Sequence, residues 1–255
     1  MPSELPDAAE PTIGKVLLVG AGPGAADLIT VRGRECLGRA EVVLYDYLAN
    51  PDLLQFVPES SERICLGRHG NGRLWSQPQI NETLVDRARQ GRIVVRLKGG
   101  DPSIFGCAAQ EVGALVQAGV PFEIVPGVTA GIAAAGSAGI PITHREFASA
   151  VAFVTGREDR DKDRSNLDYA ALAGFPGTLV FYMGTTTVDE WSSGLIAAGL
   201  SRKTPVAIVR RATLDDQMER TTTLGEVSAA VRTQPPLRPP VVFICLLYTS
   251  PSPRD

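Results

Sequence analysis

Apolar residues in this chain gather into short runs set between longer stretches whose apolar positions recur at helical spacing. The runs at 15–19, 41–46, 63–67, 92–98 and 122–125 are aliphatic and β-branched with little polar interruption, the pattern of strands buried on both faces. Between them the spacing predicts helices at 51–57, 79–89 and 105–117, and another that starts behind Thr30 as its N-cap. Strands alternating with helices predict a mostly parallel sheet covered on both sides. Past a run of small residues ending at Gly139, and the segment 140–145, the alternation restarts. Strands are predicted at 150–155, 178–183, 205–209 and 241–244, with helices at 167–173, 188–198 and 224–231.

The expected fold class is therefore α/β: two consecutive α/β domains with an interdomain cleft. Their expected limits are 13–127 and 128–245, behind a disordered tail at 1–12 and ahead of a non-native or truncated Ser-Pro tail at 246–255. No linker rich in proline or serine separates them, so they are expected to pack together and leave the cleft.

Composition narrows the field. The chain of 255 residues is 44% hydrophobic and 21% charged with a net charge of −3, the make-up of a soluble globular protein. It lacks the basic field that binds nucleic acid nonspecifically. Arginine dominates the basic set, with lysine at 15, 98, 162 and 203, and guanidinium forks suit a carboxylate-rich small molecule. Cys36, Cys65, Cys107 and Cys245 are scattered, and with His69 and His144 they form no metal-ligand pattern, so no metal is expected. The acidic start lacks the basic and apolar regions of a signal peptide, and no apolar run reaches the ~18 residues of a spanning helix. A cytoplasmic protein without membrane contact is expected. The mixed-charge run 157–164 reads as a solvated loop.

Candidate chemistry sits on glycines at strand ends. The run 92–98 ends in Gly99-Gly100-Asp101-Pro102, where two residues without Cβ permit positive φ or the close approach of a ligand. Asp101 before Pro102 has the form of an N-cap for the helix at 105–117, and a tight strand-to-helix turn alone would read the same way. Ligands of open α/β sheets collect at the carboxyl ends of strands, which favours this loop. The first strand likewise runs into Gly20-Ala21-Gly22-Pro23-Gly24-Ala25, which satisfies the dinucleotide fingerprint, with Asp46 closing the second strand. Pro23 removes an N–H donor, however, and the helix is delayed to Thr30, so a pyrophosphate would lack its helix terminus.

Four motifs in order, V-G-A-G-P-G-A-A-D-L-I-T-V-R-G (19–33), V-R-L-K-G-G-D-P-S-I-F-G (95–106), P-G-V-T-A-G (126–131) and G-I-P-I-T-H-R (139–145), resemble the tetrapyrrole methylases. The resemblance covers about residues 13–244 and is strongest to the branch that C-methylates uroporphyrinogen III. It implies a homodimer that holds S-adenosyl-methionine in the cleft and releases S-adenosyl-homocysteine. It also implies methyl transfer to two pyrrole carbons of one tetrapyrrole, at C2 and C7, giving precorrin-2 for sirohaem or cobalamin.

Carried across by motif, cofactor contacts fall on Pro23, Gly99, Gly100, Asp101, Ile104, Thr129, Ala130, Met183 and Ala212. Met183 otherwise reads as a core residue. Asp46 matches the family's proposed proton acceptor, with a solvated or capping acid as the other reading. Arg68 stands where most relatives have lysine. A guanidinium stays protonated, which weakens a proton-donor role and keeps a positive charge for a carboxylate-rich substrate. The last strand, Phe243-Ile244-Cys245-Leu246-Leu247, departs from the Val-Gly-Glu-Val type of ending and puts the sheet edge in question. A later precorrin methylase, an RNA ribose methyltransferase of similar fold, and a noncatalytic carrier of a tetrapyrrole or adenosyl ligand are the competing expectations.

Overall fold

The computed structural model describes residues 13–67, 75–158 and 166–246. Arg68, His69, the tail at 1–12, most of the charged run 157–164 and all but Leu246 of the carboxyl-terminal tail lie outside the described residues. The chain divides after Val128 into two compact units.

The first unit runs β1 (Lys15–Gly20), α1 (Val31–Leu37), β2 (Val42–Tyr45), β3 (Glu62–Cys65), α2 (Gln77–Arg89), β4 (Ile93–Lys98), α3 (Ala108–Gln117) and β5 (Phe122–Val125). Its strands form one sheet in the order β3-β2-β4-β1-β5, with every pairing parallel. Period-two alternation sorts the side chains. Leu17, Val19, Val43, Val95 and Leu97 pack with Cys36 and Leu37 of α1, whereas Val16, Leu18, Val42, Leu44 and Val94 meet Ile80 and Leu84 of α2 and Leu115 of α3. The chain leaves β1 for α1 on one face and leaves β4 for α3 on the other. These neighbouring strands therefore part at their carboxyl ends, the switch point at which open α/β sheets bind ligands.

Thr30 caps α1 as expected, its Oγ1 accepting from the Gly33 N–H at 3.1 Å. The helix expected at 51–57 is present as a 3-10 helix, Pro51–Phe56, started by the Asn50 side chain, which accepts from the Asp52 N–H at 2.9 Å. Two other local expectations are corrected. Asp101 does not cap α3. Its Oδ1 accepts from the Ser103 N–H at 2.7 Å and its Oδ2 from the Gly127 N–H at 3.0 Å, so it closes a loop of its own. The helix starts three residues later than expected, from Cys107 at φ 56°.

The second unit runs α4 (Ala130–Ser137), β6 (Ala150–Thr155), α5 (Tyr169–Ala173), β7 (Gly177–Tyr182), α6 (Val188–Ala197), β8 (Pro205–Arg210), β9 (Met218–Thr223), α7 (Val227–Arg232) and β10 (Val241–Cys245). Its sheet has the order β6-β7-β10-β8-β9, and of its pairings β6–β7 alone is parallel. The parallel reading is therefore corrected for this half: β10 inserts antiparallel between β7 and β8, and β9 returns from β8 as an antiparallel edge. The unusual last strand is central and buried throughout, so its departure from the family pattern falls in the core. Burial pushes the Cys245 thiol up to about 12, which leaves it an inert apolar filler. The core centres on Trp191, stacked on Phe181 at 4.5 Å and edge-on to Phe243 at 5.2 Å. Among the described residues no helix is long and apolar enough to cross a membrane, and no group of side chains is arranged to hold a metal ion.

Candidate active site

In the first unit, the loops after β1, β4 and β5 meet main chain on main chain. The Ala21 N–H donates to the Lys98 carbonyl at 2.7 Å, and Gly22 and Gly100 exchange both backbone hydrogen bonds, at 2.7 and 3.2 Å. Gly22 and Gly100 take φ of 78° and 68°; Gly99 keeps a negative φ. A Cβ on Gly20 would lie 2.6 Å from the Gly127 Cα, and one on Gly127 would run into the Gly100 carbonyl oxygen. Glycine is therefore required on both sides of this crossing. Asp101 locks it by bonding Gly127 across 26 positions of sequence.

Pro23 and Ile104 are half-buried beside these turns, and the Asn50 amide ties the Pro23 loop down by donating to the Gly24 carbonyl at 2.8 Å. Phe105 and Cys107, both at positive φ, set the course of the chain after Ile104. The glycine turn is followed by a 3-10 turn, Ala26–Leu28, with α1 starting only at Val31. No helix terminus stands at Pro23-Gly24, which removes the basis of a dinucleotide reading.

Asp46 follows β2 with its N–H on the Leu97 carbonyl and its side chain 30% exposed. Its Oδ1 accepts from Arg96 Nη2 at 2.6 Å. Arg96 lies on β4, 4% exposed, and donates through Nε to Glu111 Oε1 at 2.9 Å and through Nη1 to the Leu97 carbonyl at 3.0 Å. Glu111 is 0% exposed, and its Oε2 accepts from Lys98 Nζ at 2.8 Å. Burial pushes the Lys98 ammonium below the usual lysine value, Arg96 adds to the push, and Glu111 opposes it. Two acids and two cations thus share the face of the first sheet that carries α3. Arg96, Lys98 and Glu111 were not among the expected site residues. The signal for them was present: two bases two positions apart inside an apolar strand, and an acid on the buried stripe of α3 beside Ala108 and Leu115.

The second unit gathers the remaining expected residues at one edge of its own sheet. The strands β7 and β8 run side by side in the same sense with β10 between them, pairing Tyr182 with Val242 and Arg210 with Val241. Met183 and Ala212, each just past the end of its strand region, therefore follow that same edge. Met183 takes φ 56° and is 47% exposed, so it is not a core residue. Its loop is held by Trp191, whose Nε1 donates to the Gly184 carbonyl at 3.0 Å. Ala212 is buried between Arg211 at φ 51° and Thr213 at φ 68°. Thr129 and Ala130 open α4, and the Thr129 hydroxyl shares a 2.8 Å hydrogen bond with the Tyr182 hydroxyl, which also accepts from the Gly131 N–H at 2.7 Å. Tyr182 is a further residue that was not expected; Gly131 is its sequence trace, because a Cβ there would collide with the phenol.

The sequence profile of the tetrapyrrole (corrin/porphyrin) methylases matches residues 15–228. The chain is 47% identical over 232 residues to siroheme synthase 1 of Pectobacterium atrosepticum, a match that covers 91% of this chain and 47% of that protein. It thus spans about half the length of the siroheme synthases it matches. To the S-adenosyl-L-methionine-dependent uroporphyrinogen III methyltransferase of Methanosarcina barkeri it is 43% identical over 216 residues, 85% of each chain. Among solved structures, the uroporphyrin-III C-methyl transferase of Thermus thermophilus, complexed with S-adenosyl homocysteine, aligns with a TM-score of 0.77 at 36% identity. That alignment covers 91% of this chain and 96% of the other.

Proposed function

From the premise that this chain belongs to the tetrapyrrole methylases, we propose that it is an S-adenosyl-methionine-dependent methyltransferase acting on uroporphyrinogen III at C2 and C7 to give precorrin-2. The observation that carries the choice of acceptor is the match to the Methanosarcina barkeri enzyme along 85% of both chains. The position of the glycine turns at the carboxyl ends of β1 and β4 agrees with it, since open α/β sheets bind ligands there.

The residues fit this group. Gly99 presents main chain with no side chain in the way, Gly100, whose N–H and carbonyl are engaged with Gly22, lets a ligand approach without a Cβ, and each Asp101 oxygen keeps a lone pair beyond the one it gives to the backbone. Ile104 and the exposed Met183 supply apolar and polarisable surface for a purine ring. Pro23, Thr129, Ala130 and Ala212 complete the residues we assign to the cofactor. When bound, S-adenosyl-methionine supplies a methyl group on a sulfonium, which the acceptor carbon takes as the C–S bond breaks and a thioether leaves. The chain's own part is positioning, worth up to about 7–11 kcal/mol in well-oriented systems, and removal of the proton that the methylated carbon must lose. Asp46 is the acceptor of that proton: it is a carboxylate with one oxygen held by Arg96 and its side chain partly open to solvent. Arg68, outside the described residues, is assigned to the substrate's carboxylates. The reading extends to a cytoplasmic homodimer.

Anaerobic incubation with uroporphyrinogen III and S-adenosyl-methionine is expected to yield a tetrapyrrole heavier by two methyl groups, read by mass spectrometry. Methylation of other precorrins but not of uroporphyrinogen III would reassign the chain within the family. Cofactor binding by calorimetry without any transfer would make it a carrier.

A further inference from the structure

A central strand buried on both faces has little reason to carry two cations, yet β4 places Arg96 and Lys98 on the face toward α3, 3% and 2% exposed. Buried ion pairs are poor sources of stability compared with apolar side chains of the same size. The arrangement therefore asks for another purpose, and its connectivity supplies one. Glu111 is the hub, fully buried, with one carboxylate oxygen on each cation. Arg96 is held at three nitrogens by three different partners, so its planar fork has one orientation, and in that orientation Nη2 meets Asp46 Oδ1. Asp46 is the one member of the four with substantial solvent exposure, and among the described residues no donor reaches its Oδ2.

We propose that Glu111 is a positioning residue for Asp46: by bracing Arg96 from behind, it fixes which carboxylate oxygen of Asp46 is engaged and leaves the other to take the proton. The proposal rests on the reading of Asp46 as proton acceptor. Lys98 occupies the second oxygen of Glu111, so that this carboxylate is satisfied without turning away from Arg96. The charged and titratable groups around Asp46 among the described residues are Arg96 and Lys98 from β4, Glu111 from α3 behind them, and the phenol of Tyr47, which burial pushes upward with Asp46 adding to the push.

The test uses the full chain and two double variants that preserve charge balance. Lys98→Met/Glu111→Leu removes the brace together with its second cation. Lys98→Met/Glu111→Gln keeps a carbonyl oxygen able to accept from Arg96 Nε. The first is expected to bind S-adenosyl-homocysteine within about twofold of wild type, to lose about tenfold or more in kcat, and to move the acid limb of the kcat–pH profile upward. The second is expected to recover most of that loss and return the limb toward its original place. A purely structural role would lower the melting temperature without moving the limb. If the limb of the first variant coincides with wild type, or if the two doubles behave alike, the proposal is overturned. Should the leucine double fail to fold, Glu111→Asp keeps the charge but shortens the reach, and it must move the limb in the same direction or the proposal fails. Asp46→Asn separates the two levels. If it retains the wild-type rate and acid limb, the assignment of Asp46 itself falls; if it abolishes turnover while the leucine double leaves the limb in place, only the role of Glu111 falls.

Discussion

The two units hold the segments that carry their candidate site residues by opposite physical means. In the first, the loops after β1, β4 and β5 are locked main chain to main chain through Gly20, Gly22, Gly100 and Gly127, and the strand beneath them carries a buried charge network. In the second, aromatic side chains do the holding: the Trp191 indole on Gly184 after β7, and the Tyr182 phenol on Thr129 and Gly131 at the start of α4. The sheets differ accordingly. All-parallel strands with helices on both faces bring several glycine turns to one end, where close backbone approach and fixed charge can act together. The mixed sheet gathers its loop ends from strands on either side of β10, and each aromatic fastens a single segment there. The contrast is between main-chain contacts above a buried charge network in the first unit and aromatic side-chain contacts in the second.

The harshest challenge to that contrast is Trp191→Ala. Removing a fully buried indole stacked on Phe181 and edge-on to Phe243 is expected to cost about 3–5 kcal/mol, a large share of the ~5–15 kcal/mol of a typical domain. Urea unfolding followed by circular dichroism should show the midpoint falling accordingly. A loss under about 1 kcal/mol would mean that the aromatic cluster is not what holds the second sheet and its Met183 loop.

Next in size is a matched pair of loop variants. Gly127→Ala drives a methyl into the Gly100 carbonyl, with both partners main chain and neither able to swing away; a cost of about 1–3 kcal/mol is expected, together with weaker S-adenosyl-homocysteine binding. Tyr182→Phe removes one hydroxyl and leaves the buried Thr129 hydroxyl and the Gly131 N–H to find other partners, at about 1–2 kcal/mol. Calorimetric binding and thermal unfolding on each variant read both quantities. If Gly127→Ala binds and unfolds like wild type, the glycine crossing is not a rigid feature, and the distinction between the two units collapses.

The same distinction decides what was legible in the sequence. Parallel strands buried on both faces write themselves as unbroken aliphatic runs, so β1, β2, β4 and β5 stood out, and the four glycine-bearing motifs marked the loops. The second sheet did not announce its mixed pairing, because direction is settled by where β10 inserts, a contact between segments about 30 to 65 residues apart. The edge strand β9 was invisible: its inward positions include Arg220, whose guanidinium donates to the carbonyls of Ala230, Thr233 and Pro235 rather than entering an apolar layer. Asp101 read as a helix cap because Asp-Pro is the local signature of one, whereas its carboxylate is claimed by a backbone N–H from beyond the next strand. Arg96, Lys98 and Glu111 escaped notice for the same reason: each has an ordinary local reading, and only their meeting across the strand and helix makes them a set.

The smallest effect separates the units at their surfaces. Glu123 on β5 accepts from Lys15 of β1 at 2.7 Å and from Arg32 of α1 at 2.8 Å, and these two hydrogen-bonded cations hold its carboxyl at about 2. Asp189 of α6 is likewise pushed down by hydrogen bonds from Arg232 and Ser228 of α7. A carboxyl whose folded value lies below its unfolded one binds its proton more readily in the unfolded chain. Its contribution is therefore fully present above the ordinary glutamate value of 4.5 and is lost as pH falls through 4.5 toward 2. Both groups are solvent-accessible, so screening keeps the contributions small, and added salt should reduce them further. Glu123 has cations from two elements and Asp189 from one, so Glu123→Gln is expected to flatten the acid slope of the unfolding free energy more than Asp189→Asn does. Carboxyl titration by NMR checks the premise directly. If Glu123 titrates in the folded chain at 4 or above, or if its removal leaves the acid slope unchanged, then β1, β5 and α1 are held at that corner by their apolar faces alone.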